Sequence, residues 1–156
     1  MEKIIIGRKD KADFVQLELS GIDVKIDSGA YTSSFHCHQI ELFVKNEREF
    51  VKCRFLDPQH PLYHEKEIVF EVFKIRRVKS SNGQVEERIS IKTEIILFKK
   101  NYPIELTLTE RADMKHPVLL GRKFTSKKFL IDTSRKNLSF MGLLITAKVN
   151  QKSKLK

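Results

Sequence analysis

The chain has 156 residues, of which 40% are hydrophobic and 32% charged, as expected of one folded domain rather than a disordered segment. Two cysteines, Cys37 and Cys53, exclude a disulfide-rich scaffold and a four-cysteine zinc site. Apolar runs such as Ile4–Ile6 are far shorter than a membrane span or a signal-peptide core, so we expect a cytoplasmic protein with no membrane partner.

Thirty Lys and Arg against 20 Asp and Glu give a net charge of +10. Part of the excess lies in residues 111–128, and part in residues 148–156, which we expect to form a disordered basic tail after a single domain over residues 1–147. A basic surface fits nucleic acid, anionic lipid or a glutamate-rich polypeptide, and a merely solvated surface explains it equally well. Charge alone does not choose among these.

Alternation of apolar and polar residues predicts strands along most of the chain. Residues 15–19 and 22–26 alternate on either side of Ser20-Gly21, which predicts a hairpin with its turn at that dipeptide. The other predicted strands are residues 40–44, 50–56, 68–78, 89–98, 104–109, 118–120, 129–131 and 138–147. One short helix is predicted over residues 122–128. Many short strands and almost no helix predict an all-β domain, closed or sandwiched.

A projecting hairpin is predicted around Ser80-Ser81-Asn82-Gly83, between two long β-rich segments. Asn-Gly favours a tight hairpin turn, because both residues tolerate positive φ. The flanking segments extend well beyond the turn, so this hairpin is able to reach out from the body of the domain.

Two short motifs stand far apart in the sequence. The strand over residues 22–26 leads into Asp27-Ser28-Gly29-Ala30, where Gly29 allows close backbone approach and its amide, with the Ser28 hydroxyl, can hydrogen-bond a carboxylate. Taken alone, this motif is also typical of an ordinary turn at the end of a strand. The second motif, Leu119-Leu120-Gly121, is hydrophobic-hydrophobic-Gly and precedes the predicted helix.

Together these motifs resemble the two marks of retropepsin-like aspartic proteases, within the bacterial and archaeal branch labelled ATP-dependent zinc protease. The resemblance spans about residues 5–135. The segments that carry it keep the order of the family: Ile6-Gly7-Arg8, residues 25–36, residues 78–83 with Glu87-Arg88, residues 106–109, and residues 116–122 and 129–132. Ser28 stands where Thr is commoner, and it keeps the hydroxyl.

The resemblance implies a closed acid-protease β-barrel and an aspartic endopeptidase, a hydrolase of peptide bonds. Such enzymes need two carboxylates that share one proton around a water molecule. The chain has one Asp-Ser-Gly, because Asp132-Thr133-Ser134 lacks the glycine. The resemblance therefore implies a homodimer in which each copy contributes Asp27.

Further roles follow from the same resemblance. Asp27, Ser28 and Gly29 would form the catalytic motif, and the Ser28 hydroxyl would brace the paired loops. Supporting positions would be Ala30, Thr32, Leu119, Leu120 and Gly121. The candidate flap over a peptide or protein substrate would be Ser80, Ser81, Asn82 and Gly83.

Zinc and ATP find no support in the residues. His64-Glu65-Lys66-Glu67-Ile68 begins like a zinc-protease helix motif, but Ile68 occupies the position of the second histidine. Gly121-Arg122-Lys123-Phe124 lacks the features of a phosphate-binding loop. We therefore expect no metal ligands and no cofactor.

The alternative is an inactive module on the same fold that binds acidic, glutamate-rich polypeptide or RNA. The branch often accompanies ATP-grasp ligases that add glutamate, so the resemblance implies such a ligase as a candidate partner and an acidic peptide as a candidate substrate. Nucleic acid is the less favoured ligand, because the 11 Phe and three Tyr fall mostly within apolar alternation and are expected in the core.

Overall fold

The computed structural model describes residues 2–79, 82–110 and 115–149. Within these ranges the chain forms one short helix, α1 (Arg122–Thr125), and a set of twelve strands: β1 (Glu2–Ile6), β2 (Lys9–Phe14), β3 (Leu19–Ile26), β4 (Ser33–Lys45), β5 (Arg48–Phe55), β6 (Ile68–Glu71), β7 (Lys74–Lys79), β8 (Val85–Leu97), β9 (Lys100–Thr109), β10 (Val118–Leu120), β11 (Phe129–Ile131) and β12 (Thr146–Lys148). The predicted all-β class is confirmed. In the described ranges no helix combines the length and apolarity needed to cross a membrane.

Six strands close into a barrel, as the retropepsin resemblance predicts. Their order is β10-β3-β2-β8-β9-β4, and β4 pairs back with β10. β5 and β6 extend the sheet beyond β4, β7 pairs with the first half of β8, and β11-β1-β12 form a separate three-stranded sheet. In the core the rings of Phe14, Phe35 and Phe55 meet edge to face, with centroids 5.1 and 5.0 Å apart. These rings and the surrounding aliphatic residues make one continuous core.

The predicted hairpin turn at Ser20-Gly21 is wrong. The chain reverses earlier, in a 3-10 turn at Val15–Leu17, and β3 runs straight through Gly21. Gly21 adopts a positive φ of 65°, but it does so at an irregularity in the strand, where its amide donates to Asp13 Oδ1 at 2.8 Å. A glycine that favours positive φ therefore marks a bulge here rather than a turn.

The predicted strand over residues 138–147 is wrong for most of its length. Only Thr146–Lys148 is extended, and residues 138–142 form turns. The buried carboxylate of Asp10 holds the first of these turns, because it accepts the amides of Ser139 and Phe140 at 2.8 and 3.0 Å. A distant side chain thus supplies the hydrogen bonds that a neighbouring strand would have supplied.

The other predicted elements are present with shifted limits. The segment 68–78 splits into β6 and β7, which pair with different neighbours. The helix is shorter than predicted and ends at Thr125. The predicted tail lies outside the described residues from position 150 onward.

Candidate active site

The Asp27 loop connects β3 to β4. Asp27 follows β3 directly, and its Oδ1 accepts the Gly29 amide at 3.0 Å, as the sequence predicts. Its carbonyl oxygen accepts the Ala30 amide at 3.2 Å, which closes the turn. Asp27 is half-buried, whereas Ser28 and Gly29 are exposed. Among the described residues the Ser28 hydroxyl has no hydrogen-bond partner, so the tip of the loop faces outward.

β10 forms the support beneath this loop. It lies between β3 and β4, parallel to the first and antiparallel to the second, with Leu120 opposite Ile26. The Asp27 amide donates to the Leu120 carbonyl at 2.9 Å. The predicted association of Asp27-Ser28-Gly29 with Leu119-Leu120-Gly121 is therefore present in the structure.

Gly121 occupies a position where no larger residue fits. A Cβ atom there would lie 2.5 Å from the carbonyl oxygen of Thr32 and 2.6 Å from that of Tyr31. Its amide donates to the buried Ser33 Oγ at 3.0 Å. The close approach of two backbone segments thus fixes the path of the chain after the Asp27 loop.

Arg122 is a site residue that the sequence reasoning did not single out. Its amide donates to the Ala30 carbonyl at 2.9 Å, and its guanidinium Nη1 donates to the Ser28 carbonyl, also at 2.9 Å. The guanidinium lies 5.8 Å from the ring centroid of Tyr31. Its position directly after Leu119-Leu120-Gly121 is the one feature of the sequence that could have identified it. Arg122, the first residue of α1, therefore holds the Asp27 loop through two of its carbonyl groups.

A groove of about 710 Å³ runs beside the loop. Of the predicted site residues, Ala30, Thr32 and Leu119 line this groove, so these three share one surface. Asp27, Ser28 and Gly29 do not line it. The opposite wall comes from the β7–β8 hairpin, through Arg76 and residues 86–89.

The hairpin predicted as a flap is partly described. β7 and β8 pair antiparallel up to Lys79 opposite Val85, and Gly83 has the positive φ of 85° that its turn position demands. Asn82 Oδ1 accepts the Gln84 amide at 3.2 Å. Ser80 and Ser81 lie outside the described residues. The arms of the hairpin, rather than Asn82 and Gly83, line the groove.

In the second Asp motif, the Asp132 carboxylate makes its contacts with residues two and three positions further along the chain. Asp132 Oδ1 accepts both the amide and the hydroxyl of Ser134, at 3.0 and 2.6 Å. These hydrogen bonds, with the charge of Arg135, hold the pKa of Asp132 below its ordinary value. Asp132 thus behaves as an ordinary residue at a strand end, and the described part of one chain presents a single carboxylate on the Asp27 loop.

Three of the histidines, His36, His38 and His64, each contact a different partner. His36 Nε2 lies 4.0 Å from Asp57 Oδ2, His38 shares a hydrogen bond with the Tyr63 hydroxyl, and His64 pairs with the Leu17 carbonyl. In the described ranges no group of three or more His, Cys, Asp or Glu side chains is arranged to hold a metal ion. These residues do not fit the zinc of the branch label.

The closed barrel and the Asp27 loop on β10 define a retropepsin-like domain. A family model described as "Retropepsin-like aspartic endopeptidase RimB" matches residues 5–140. The chain therefore belongs to this RimB-like family. The predicted retropepsin-like resemblance is confirmed at the level of the family.

Curated relatives bear a different name. A protein of Shewanella halifaxensis is 36% identical over 136 residues, which are 85% of this chain and 29% of the relative. A protein of Parasynechococcus marenigrum is 34% identical over 134 residues, 83% of this chain and 28% of the relative. Both are named "Probable alpha-L-glutamate ligase" rather than zinc protease. The chain spans less than a third of the length of these relatives.

A solved structure supports the fold. The crystal structure of a Legionella pneumophila protein of unknown function matches with a TM-score of 0.67 and 23% identity. The match covers 86% of this chain and 97% of that one. At this level of identity the similarity speaks to the fold alone.

Proposed function

We propose that the protein is an aspartic endopeptidase that works as a homodimer, with one Asp27 from each copy. The observation that carries the proposal is the Asp27 loop: its carboxylate is fixed by Gly29, its tip is exposed, and a groove begins three residues further on. A single carboxylate is half of what this chemistry requires, and a twofold axis at the exposed tip supplies the other half.

The two carboxylates share one proton because like charges at short distance do not both ionise. The ionised carboxylate takes a proton from water as the water oxygen bonds to the peptide carbonyl carbon. The protonated carboxyl gives its proton to the carbonyl oxygen. Collapse of the tetrahedral intermediate breaks the carbon–nitrogen bond, and the amine leaves with a proton returned by the carboxyl groups.

The first test is Asp27→Asn, because an amide cannot take a proton from water. We expect peptide hydrolysis to fall to background, while circular dichroism and sedimentation stay as in the wild type. Asp132→Asn is the matched control, since it changes the other Asp-hydroxyl motif, and it should keep its activity. Hydrolysis by Asp27→Asn at the wild-type rate would refute the assignment.

Mixing subunits tests the dimer directly. If wild-type and Asp27→Asn chains exchange freely in equal amounts, about a quarter of the wild-type activity should remain per total chain, because only wild-type pairs hold two aspartates. Chains that act singly would leave about half. The measurement is the initial rate against the mixing ratio, and a straight line would contradict the dimeric site.

An acidic, glutamate-rich peptide is the substrate we propose. The net charge of +10 attracts such a chain, and relatives named as glutamate ligases contain a domain similar to this one. A ligase that produces glutamate-rich chains is accordingly the partner we propose. Initial rates on glutamate peptides at several salt concentrations test whether charge attracts the substrate. Rates that do not change with salt would refute this attraction.

A further inference from the structure

A second pocket adjoins the groove. Its volume is about 260 Å³, and it shares Thr32 and Glu105 with the groove. The apolar part of its lining is formed by Phe73, Pro103, Ile104 and Phe124, and the charged part by Lys92, Lys123, Lys128 and Glu105. Pockets for whole drug-sized ligands measure roughly 300–1,000 Å³. This one is suited to a single side chain of a longer ligand that lies in the groove.

Two of the lysines lie over aromatic rings of the pocket. Lys92 Nζ is 4.0 Å from the centroid of Phe73, and Lys128 Nζ is 4.8 Å from that of Phe124. Lys128 also donates to the Phe124 carbonyl at 2.9 Å, and burial lowers its pKa. Neither lysine has a carboxylate partner among the described residues. An incoming anion would favour the charged form of Lys128.

The third lysine is already paired. Lys123 Nζ lies 2.6 Å from Glu105 Oε1. Burial acts to raise the pKa of Glu105, but the hydrogen bond and charge of Lys123 outweigh it, so the pKa lies below its ordinary value. One glutamate against three lysines leaves the pocket positive.

The lining of the groove itself is net negative. Arg76 and Arg88 face each other across β7–β8, but Glu86, Glu87, Glu105 and Glu110 line the same space. Attraction for an anion is therefore concentrated in the pocket and not spread along the groove.

We infer that Lys92 and Lys128 form a subsite that binds one acidic side chain of the peptide, away from the bond that is cut. The aliphatic part of that side chain packs between Phe73 and Phe124, and its carboxylate pairs with the two ammonium groups. The inference rests on the proposed function, because the pocket can bind a side chain of the peptide only if the groove holds that peptide.

The test uses a glutamate peptide and derivatives in which one glutamate at a time is replaced by glutamine. For the wild type, we expect one position remote from the cut at which the replacement lowers kcat/KM by about tenfold, the size of a charge-assisted hydrogen bond. In the double variant Lys92→Met/Lys128→Met that position should tolerate glutamine. Lys100→Met, which removes an exposed lysine outside the pocket, should keep the wild-type preference.

A second measurement does not depend on hydrolysis. Lysine acetylation of the inactive Asp27→Asn protein is followed by mass spectrometry, with the glutamate peptide or its all-glutamine analogue. The glutamate peptide should protect Lys92 and Lys128 but not Lys100, and the analogue should protect none of them.

The outcomes separate the two proposals. Protection of Lys92 and Lys128 without hydrolysis by the wild type would refute the peptidase and uphold the subsite. Hydrolysis without protection, and with equal tolerance of glutamine at every position, would refute the subsite and leave the peptidase standing.

Discussion

At the scale of single residues, the site depends on close backbone contacts as much as on its carboxylate. Gly121 is placed against the carbonyl oxygens of Tyr31 and Thr32, and Arg122 holds the Ser28 carbonyl. The sequence identified Gly121 through the hydrophobic-hydrophobic-Gly motif. It did not identify Arg122, because the role of that residue depends on a hydrogen bond between positions 94 residues apart.

Gly121→Ala should displace the Asp27 loop, because the new methyl group would lie within 2.6 Å of two backbone oxygens. We expect the free energy of unfolding to fall by about 1–3 kcal/mol, as for overpacked cores, and hydrolysis to be lost. Urea denaturation and a peptide assay measure both effects.

Gly142→Ala is the control. No atom lies within 4 Å of the added methyl, so it adds only the strain of a φ of 73° and should keep full activity. A Gly121→Ala protein as active as Gly142→Ala would contradict the role of Gly121.

At the scale of elements, alternation predicted where strands lie better than where they end. The predicted strands 40–44 and 50–56 lie in β4 and β5, which pair antiparallel across Asn46 and Glu47, both at positive φ. Gly21 misled the prediction, because the side chain of Asp13 satisfies its amide inside a continuous strand. The apolar run at residues 143–145 misled it as well, since Leu143 and Leu144 are exposed. Contacts between distant residues decide such cases, and periodicity does not report them.

Asp10 provides a test at this scale. Its buried carboxylate accepts the amides of Lys11, Ser139 and Phe140. Asp10→Ala should lower the free energy of unfolding by about 2 kcal/mol or more, because three part-buried amides lose the buried carboxylate that accepts them. Asp23→Ala, which breaks the exposed pair with Lys11, should cost less than about 1 kcal/mol. Equal effects of the two variants in urea denaturation would contradict this account.

At the scale of the whole molecule, stability should depend on pH through a buried histidine. Burial holds the pKa of His36 below its ordinary value, against the opposing charge of Asp57. As pH falls through about 6.5, the unfolded chain takes up the proton before the folded one does. The free energy of unfolding should therefore fall between about pH 6.5 and the lower folded pKa.

The measurement is urea denaturation from about pH 7 to 5, a window above the titration of ordinary carboxylates. His36→Gln should show a smaller slope than the wild type, and His60→Gln should show the wild-type slope. His116, whose pKa is lowered by burial and by Lys25, contributes equally to all three proteins. If the free energy of unfolding of His36→Gln depended on pH as steeply as that of the wild type, His36 would not be the source of the dependence.

The position of β10 between β3 and β4 has a consequence for synthesis on the ribosome. A growing chain carries its aspartate early, but the residues that seat the carboxylate arrive about 90 positions later. Chains that end before Val118 therefore have the acid without the geometry, and under the proposed function we expect them not to hydrolyse peptides.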